Sequence, residues 1–124
     1  MQWLSLHVLI LFAVSHSQGE IGIGGERVVL TCDLPVADPP VVVWKDLVYN
    51  SARDPILIAD KDGNINPEHP QKDNYEVDIV THQLTIKRFK KDDAGDYICE
   101  SIGDESKPMK KLISLGFIGG YQFY

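Results

Sequence analysis

A chain of 124 residues has room for one domain and little more, and an apolar share of 44% suits a packed core over a disordered polymer. Eighteen acids against twelve lysines and arginines leave a net charge of −6, which argues against nucleic acid and anionic membrane as partners, since both attract basic surfaces. The cations gather locally, in Lys87, Arg88, Lys90 and Lys91 and again in Lys107, Lys110 and Lys111, and such clusters on strands and turns read as solvated faces.

From Trp3 to Val14 the chain is apolar apart from Ser5 and His7, and Ser15-His16-Ser17-Gln18 follows. The apolar run is too short to span a bilayer, and small residues sit one and three positions before a cut after Ser17. Residues 1–17 therefore read as a secretory signal peptide, although they carry no Lys or Arg ahead of the apolar run. A buried or interfacial first helix is the competing reading.

Gly22 to Gly25 reads as a flexible entry. Glu26 to Cys32 alternates, placing Val28, Leu30 and Cys32 on one face of a strand. Only fourteen residues separate the expected cut from Cys32, so the spacing predicts a first strand that is short or missing and an edge open to another chain. Asp33 to Pro40, with Pro35, Pro39 and Pro40, is a loop. Val41 to Lys45 is a strand with Val42 and Trp44 inward and Val43 and Lys45 outward, and Asp46 to Asp54 is polar and turn-like.

Pro55 to Ala59 reads as a strand and Asp60 to Asn74 as a long polar connection with room for one short edge strand. Tyr75 to Ile79 alternates apolar with acidic, predicting a half-buried strand with Tyr75, Val77 and Ile79 inward. Leu84 and Ile86 form the inward pair of the next strand, and Lys90 to Gly95 is a corner. Tyr97 and Cys99 then point in, and Ile98 and Glu100 point out. Gly103 to Ser106 is a hairpin turn and Met109 to Leu115 the last strand, where Lys111 breaks the alternation and leaves the buried face open. Residues 116–124 form an apolar, glycine-rich tail, too few after Leu112 for a membrane-spanning helix.

The two cysteines, far apart and without C-x-x-C or paired histidines, suit a disulfide in an oxidising compartment better than a metal site. Leu84-Thr85-Ile86 leads into Asp93-Ala94-Gly95-Asp96-Tyr97-Ile98-Cys99, and Trp44 follows Cys32 by twelve residues. In these motifs, over about residues 24 to 115, the chain resembles the immunoglobulin superfamily. The resemblance implies an all-β, immunoglobulin-like antiparallel Greek-key β-sandwich over residues 18–115, of variable or intermediate type, with an inter-sheet disulfide between Cys32 and Cys99. A loop of that length would lose chain entropy worth roughly 4 kcal/mol when closed. It further implies that Trp44 and Leu84 are core, that Tyr97 satisfies a backbone group at a corner, and that Asp93 seeks a partner near the strand opening at Tyr75. The family's arginine is replaced there by Asn74, so Lys72 or Asn74 is the expected substitute.

Other motifs are weaker. Asp60 to Glu68 resembles the start of a calcium loop, but the sixth and twelfth positions hold Ile65 and Gln71 instead of Gly and Glu, so an Asp-Gly turn is the simpler reading. His69 and His82 look isolated, no serine sits in G-x-S-x-G, and there is no N-x-S/T acceptor, so neither catalysis, cofactor, metal nor N-linked sugar is expected. Recognition remains. The outward residues Val43, Lys45, Ile98 and Glu100, with Ile102 at the rim, suit the centre of a small protein–protein interface. The resemblance makes the partner another extracellular protein, for instance a second immunoglobulin-like domain, with a homodimer as one form. The alternative is a soluble defence protein that binds glycans or microbial surfaces through Asp33–Pro40 and Ala59–Asn66.

Overall fold

Cys32 and Cys99 are disulfide-bonded, their Cα atoms 6.1 Å apart, and the bond ties the two sheets of an all-β sandwich together. The computed structural model describes residues 16–34, 42–49, 54–101 and 109–119, with only the backbone of residues 16–18. The expected leader up to residue 15, most of the Asp33–Pro40 loop, Ile102, the Gly103–Ser106 turn and the chain end from 120 lie outside the described residues.

One sheet runs in the order β1 (His16–Ile23), β8 (Met109–Ile118), β7 (Gly95–Ser101), β3 (Val42–Asp46), β4 (Ile56–Ala59). The other runs β2 (Val28–Leu30), β6 (Leu84–Ile86), β5 (Tyr75–Val77). All pairings are antiparallel except β1 with β8, which is parallel. No helix among the described residues is long and apolar enough to cross a membrane.

The period-2 alternation of the strands produces the core. Leu30, Leu84 and Ile86 from one sheet meet Trp44, Tyr97, Cys99 and Ile113 from the other, all fully buried. Each large apolar side chain removed from water in this way contributes about 1.5–3 kcal/mol. The Trp44 indole crosses the sandwich and donates its Nε1–H to the His82 carbonyl at 2.9 Å. His82 takes φ 62° in that turn, a conformation uncommon for a non-glycine residue. Between β3 and β4 the register slips, with Trp44 opposite Ala59 and Lys45 opposite Leu57, so the extra residue Ile58 joins the core.

Three expectations fail here for identifiable reasons. The first strand is neither short nor missing: β1 has eight residues, takes in His16, Ser17 and the expected flexible entry at Gly22, and covers the edge of β8. Its inward face carries Gly22, while Ile21 and Ile23 stand 68% and 51% exposed, so apolar periodicity points the wrong way. Gly22 is required by close approach, because a Cβ there would lie 2.7 Å from the Phe89 ring. Ile79 is not inward; β5 ends at Val77 and Ile79 is 66% exposed in the following turn. The last strand continues to Ile118, beyond Leu115.

The face that Lys111 left open is the core side: it lies there with Ile113 and Leu115 and is 3% exposed. Its stem runs inside the sandwich while the ammonium reaches the Asp33 carboxylate at 2.6 Å and the Thr31 carbonyl at 3.2 Å. A long amphipathic side chain thus occupies an apolar position without burying its charge unpaired.

Candidate functional site

The outer face of the five-stranded sheet is built by the residues that alternate with Trp44, Tyr97, Cys99 and Ile113. Strand register places Leu57, Lys45, Ile98 and Leu112 side by side across β4, β3, β7 and β8. All four are partly buried, and three are aliphatic. The neighbouring row is Val43, Glu100 and Lys110. Glu100 binds Lys45 at 2.7 Å through one carboxylate oxygen and Lys110 at 3.5 Å through the other. Burial pushes the Glu100 carboxyl up, but the hydrogen bond and charge of Lys45, with Lys110 behind them, hold it below the ordinary glutamate value.

Four of the expected interface residues therefore do share one face: Val43, Lys45, Ile98 and Glu100. Ile102 lies outside the described residues. One detail differs from expectation. Val43 points to the outer face yet is only 8% exposed, and Glu100 only 9%, so neither presents much surface of its own. Leu57 and Leu112, which the sequence reading passed over, complete the aliphatic row; the signal for them was alternation within their strands once strand order was known.

Beneath this face lies a polar cluster that sequence spacing does not reveal. Asp46, at the end of β3, is fully buried; its Oδ1 accepts the backbone N–H groups of Val48 at 2.9 Å and Tyr49 at 3.1 Å. Its Oδ2 pairs with Nε2 of His69, itself 2% exposed. His69 Nδ1 accepts the Gln71 N–H at 3.0 Å, which places the ring proton on Nε2, toward Asp46. His69 is thus not isolated. Both of its nitrogens are held by structural partners, and the rings of Tyr49 and Tyr75 pack edge-on against it with centroids 5.6 and 5.0 Å away.

Asp93 is also fully buried, and its partner is neither Lys72 nor Asn74. Oδ1 accepts the Tyr49 hydroxyl and Oδ2 the Lys90 N–H at 2.9 Å, while the Asp93 carbonyl accepts the Tyr97 hydroxyl at 2.6 Å. Asn74 instead clamps Arg88, donating to its carbonyl and accepting from its N–H, each at 2.9 Å. Burial foremost, then the bond to Asp93, raises the Tyr49 phenol far above its ordinary value, and burial does the same to Tyr75 and Tyr97. The hydrogen bonds of the cluster fix the corner and the ends of β3 and β7.

The Asp60 loop closes on itself. Its Oδ1 accepts the N–H groups of Asn64 at 3.0 Å and Asp62 at 2.9 Å, and Gly63 supplies the positive φ of 80° that the turn needs. The Asn64 amide foremost holds the Asp60 carboxyl below the usual aspartate value. Ile65 bridges back to Ala59, and Asn66 bonds the Ile58 and Leu57 carbonyls, so the loop covers the free edge of β4. Among the described residues no three His, Cys, Asp or Glu side chains converge as metal ligands would. The sequence matches no protein-family model and no curated protein.

Proposed function

We propose that the chain is a secreted, non-catalytic recognition module of the immunoglobulin superfamily that binds another extracellular protein through the outer face of β4, β3, β7 and β8. The observation that carries this reading is the row Leu57, Lys45, Ile98 and Leu112: three aliphatic side chains and one lysine across four strands of a disulfide-braced sheet, bordered by the Lys45–Glu100–Lys110 ion pairs. An apolar centre with charges beside it is the composition of a small protein interface. Strands held in register lose little freedom on binding, so little of the contact energy is offset by ordering.

Family membership is supported by the motif run from Asp93 to Cys99, by the disulfide between sheets, and by the Tyr97 hydroxyl bonded back to Asp93. Export is supported by the apolar leader and by the disulfide.

The test is a binding screen of the purified chain against an array of recombinant extracellular domains that includes the chain itself. Hits are repeated with Ile98→Asp and Leu112→Asp. Both substitutions should abolish binding while changing the melting temperature by only a few degrees. Hits that survive both changes would move the interface off this face.

A further inference from the structure

Four of the chain's twelve lysines and arginines fall within five residues, Lys87-Arg88-Phe89-Lys90-Lys91, although the net charge is −6. The backbone that carries them is fixed at every step. The Lys87 N–H is held by the Asn74 carbonyl at 2.8 Å, Arg88 N–H by the Asn74 side chain at 2.9 Å, Phe89 N–H by the Glu26 carbonyl at 2.8 Å, and Lys90 N–H by Asp93 at 2.9 Å. Phe89 itself is fully buried, packed under Gly22 and 5.7 Å from the Phe117 ring. The central side chain is therefore an anchor, and the four cations around it are all exposed.

These cations are unmatched. Lys45, Lys110 and Lys111 each sit on a carboxylate, whereas none of Lys87, Arg88, Lys90 and Lys91 forms an ion pair among the described residues. Lys90 donates only to the neutral Gln71 amide, at 2.7 Å. Arg88 and Lys90 are shared by two adjoining shallow hollows of about 310 Å³ each: one is backed by Gln71 and Asn74 with Asp73 in its wall, and the other is floored by Gly24, Gly25 and Phe117, reached by Lys91 and lined by no carboxylate. The result is a pair of adjoining hollows beside a compact cationic ridge, which bends at Lys87 and Arg88 and ends where a 3-10 turn begins at Lys91.

We infer that this ridge binds a sulfated polysaccharide. A narrow polyanion can lie in the hollow between Arg88, Lys90 and Lys91 that no carboxylate lines, whereas a membrane or a broad anionic surface would also meet the exposed acids Glu26, Asp73 and Asp92 nearby. Single-stranded nucleic acid is disfavoured because the aromatic ring of the run is buried and offers no stacking platform. Sulfate groups need only cations and hydrogen-bond donors in fixed positions, and arginine and lysine on a pinned backbone supply both.

Surface plasmon resonance of the full chain over an immobilised heparin dodecasaccharide tests this, at several sodium chloride concentrations. Binding should weaken steeply with salt. The Arg88→Ala/Lys91→Ala double variant should lose at least about tenfold in affinity, with a log–log salt slope shallower by about 1–2, as expected for two fewer neutralised charges. Lys61→Ala, in the Asp60 loop, should bind as the parent does, and circular dichroism should show all variants folded. Absence of binding at low salt, an equal loss in Lys61→Ala, or binding to duplex DNA or phosphatidylserine vesicles as tight as to heparin would overturn the assignment.

Discussion

His69 donates from Nε2 to the buried carboxylate of Asp46 across 23 residues of chain, so the connection after β4 is pinned to the end of β3. The same carboxylate holds the N–H groups of Val48 and Tyr49. Asp46→Ala leaves three buried or half-buried donors without an acceptor, and stranding a buried donor typically costs about 1–3 kcal/mol. Chemical denaturation should show a loss in that range. A loss below about 1 kcal/mol would mean that water replaces the carboxylate readily and that the pair does not organise the connection.

Two buried tyrosines beside this pair, Tyr97 opposite Asp46 and Tyr75 against the His69 ring, should behave oppositely. The Tyr97 hydroxyl is committed to the Asp93 carbonyl, so Tyr97→Phe strands a buried acceptor and should cost about 1–2 kcal/mol. The Tyr75 hydroxyl is buried beside that of Tyr97, and no partner among the described residues gives it a well-formed hydrogen bond. Tyr75→Phe removes a desolvated polar atom and should leave stability unchanged or raise it by up to about 1 kcal/mol. Thermal melts of the two variants, side by side, decide the matter; equal losses would contradict it.

Much of the sandwich was legible because its signals are local. Cys32, Trp44, Tyr97 and Cys99 carry the resemblance that implied a two-sheet sandwich, and the strand alternations at Val28 to Leu30 and Leu84 to Ile86 mark their own inward faces. What escaped was either long-range or inverted. β1 pairs with a strand some ninety residues away and turns Gly22 inward and Ile21 outward, so neither composition nor period marks it. Asp46, Tyr49 and His69 are ordinary polar residues in turn-like sequence, and only the fold brings them together. On the candidate face, alternation found the direction of Val43 but not its burial, which depends on neighbours from other strands.

That burial changes what a substitution at Val43 should do. An aspartate at a position 8% exposed, directly opposite Glu100, adds a second carboxylate beside the first in a poorly solvated place. Val43→Asp should therefore lower stability by about 2–4 kcal/mol, whereas Ile98→Asp, partly exposed and next to Lys45, should cost about 1 kcal/mol or less. Urea titrations would show the separation; similar midpoints for the two variants would refute it.

Lys111 offers a test of how an ammonium group is accommodated on a core face. Its whole side chain is nearly buried, 4% exposed, and the ammonium is met by the exposed Asp33 carboxylate and the Thr31 carbonyl. Lys111→Met preserves the stem and should change stability by less than about 1 kcal/mol, because the Asp33 side chain is 70% exposed and can solvate alone. Lys111→Ala removes the stem and should cost about 2 kcal/mol or more. If Lys111→Met proves the worse of the two, the ion pair outweighs the packing.

The Lys45–Glu100–Lys110 contacts should appear in the acid limb of the stability profile. The Glu100 carboxyl is held below the ordinary glutamate value of about 4.3, so at neutral pH its ionised form favours the folded state. That contribution is complete above the unfolded value and disappears as pH falls through the lower folded one. Asp60 and Asp78, whose carboxyls are also held low by backbone amides, add to the same limb. Melting temperatures measured from pH 7 down to pH 2.5 should fall progressively below about pH 4.5, and Glu100→Gln should start lower and fall less steeply. High salt should narrow the difference only in part, because the Glu100 side chain is 12% exposed and the pair with Lys45 is shielded from bulk ions. A variant with the same acid slope as the parent would place the carboxylate's stabilising role elsewhere, and with it the charged border of the proposed interface.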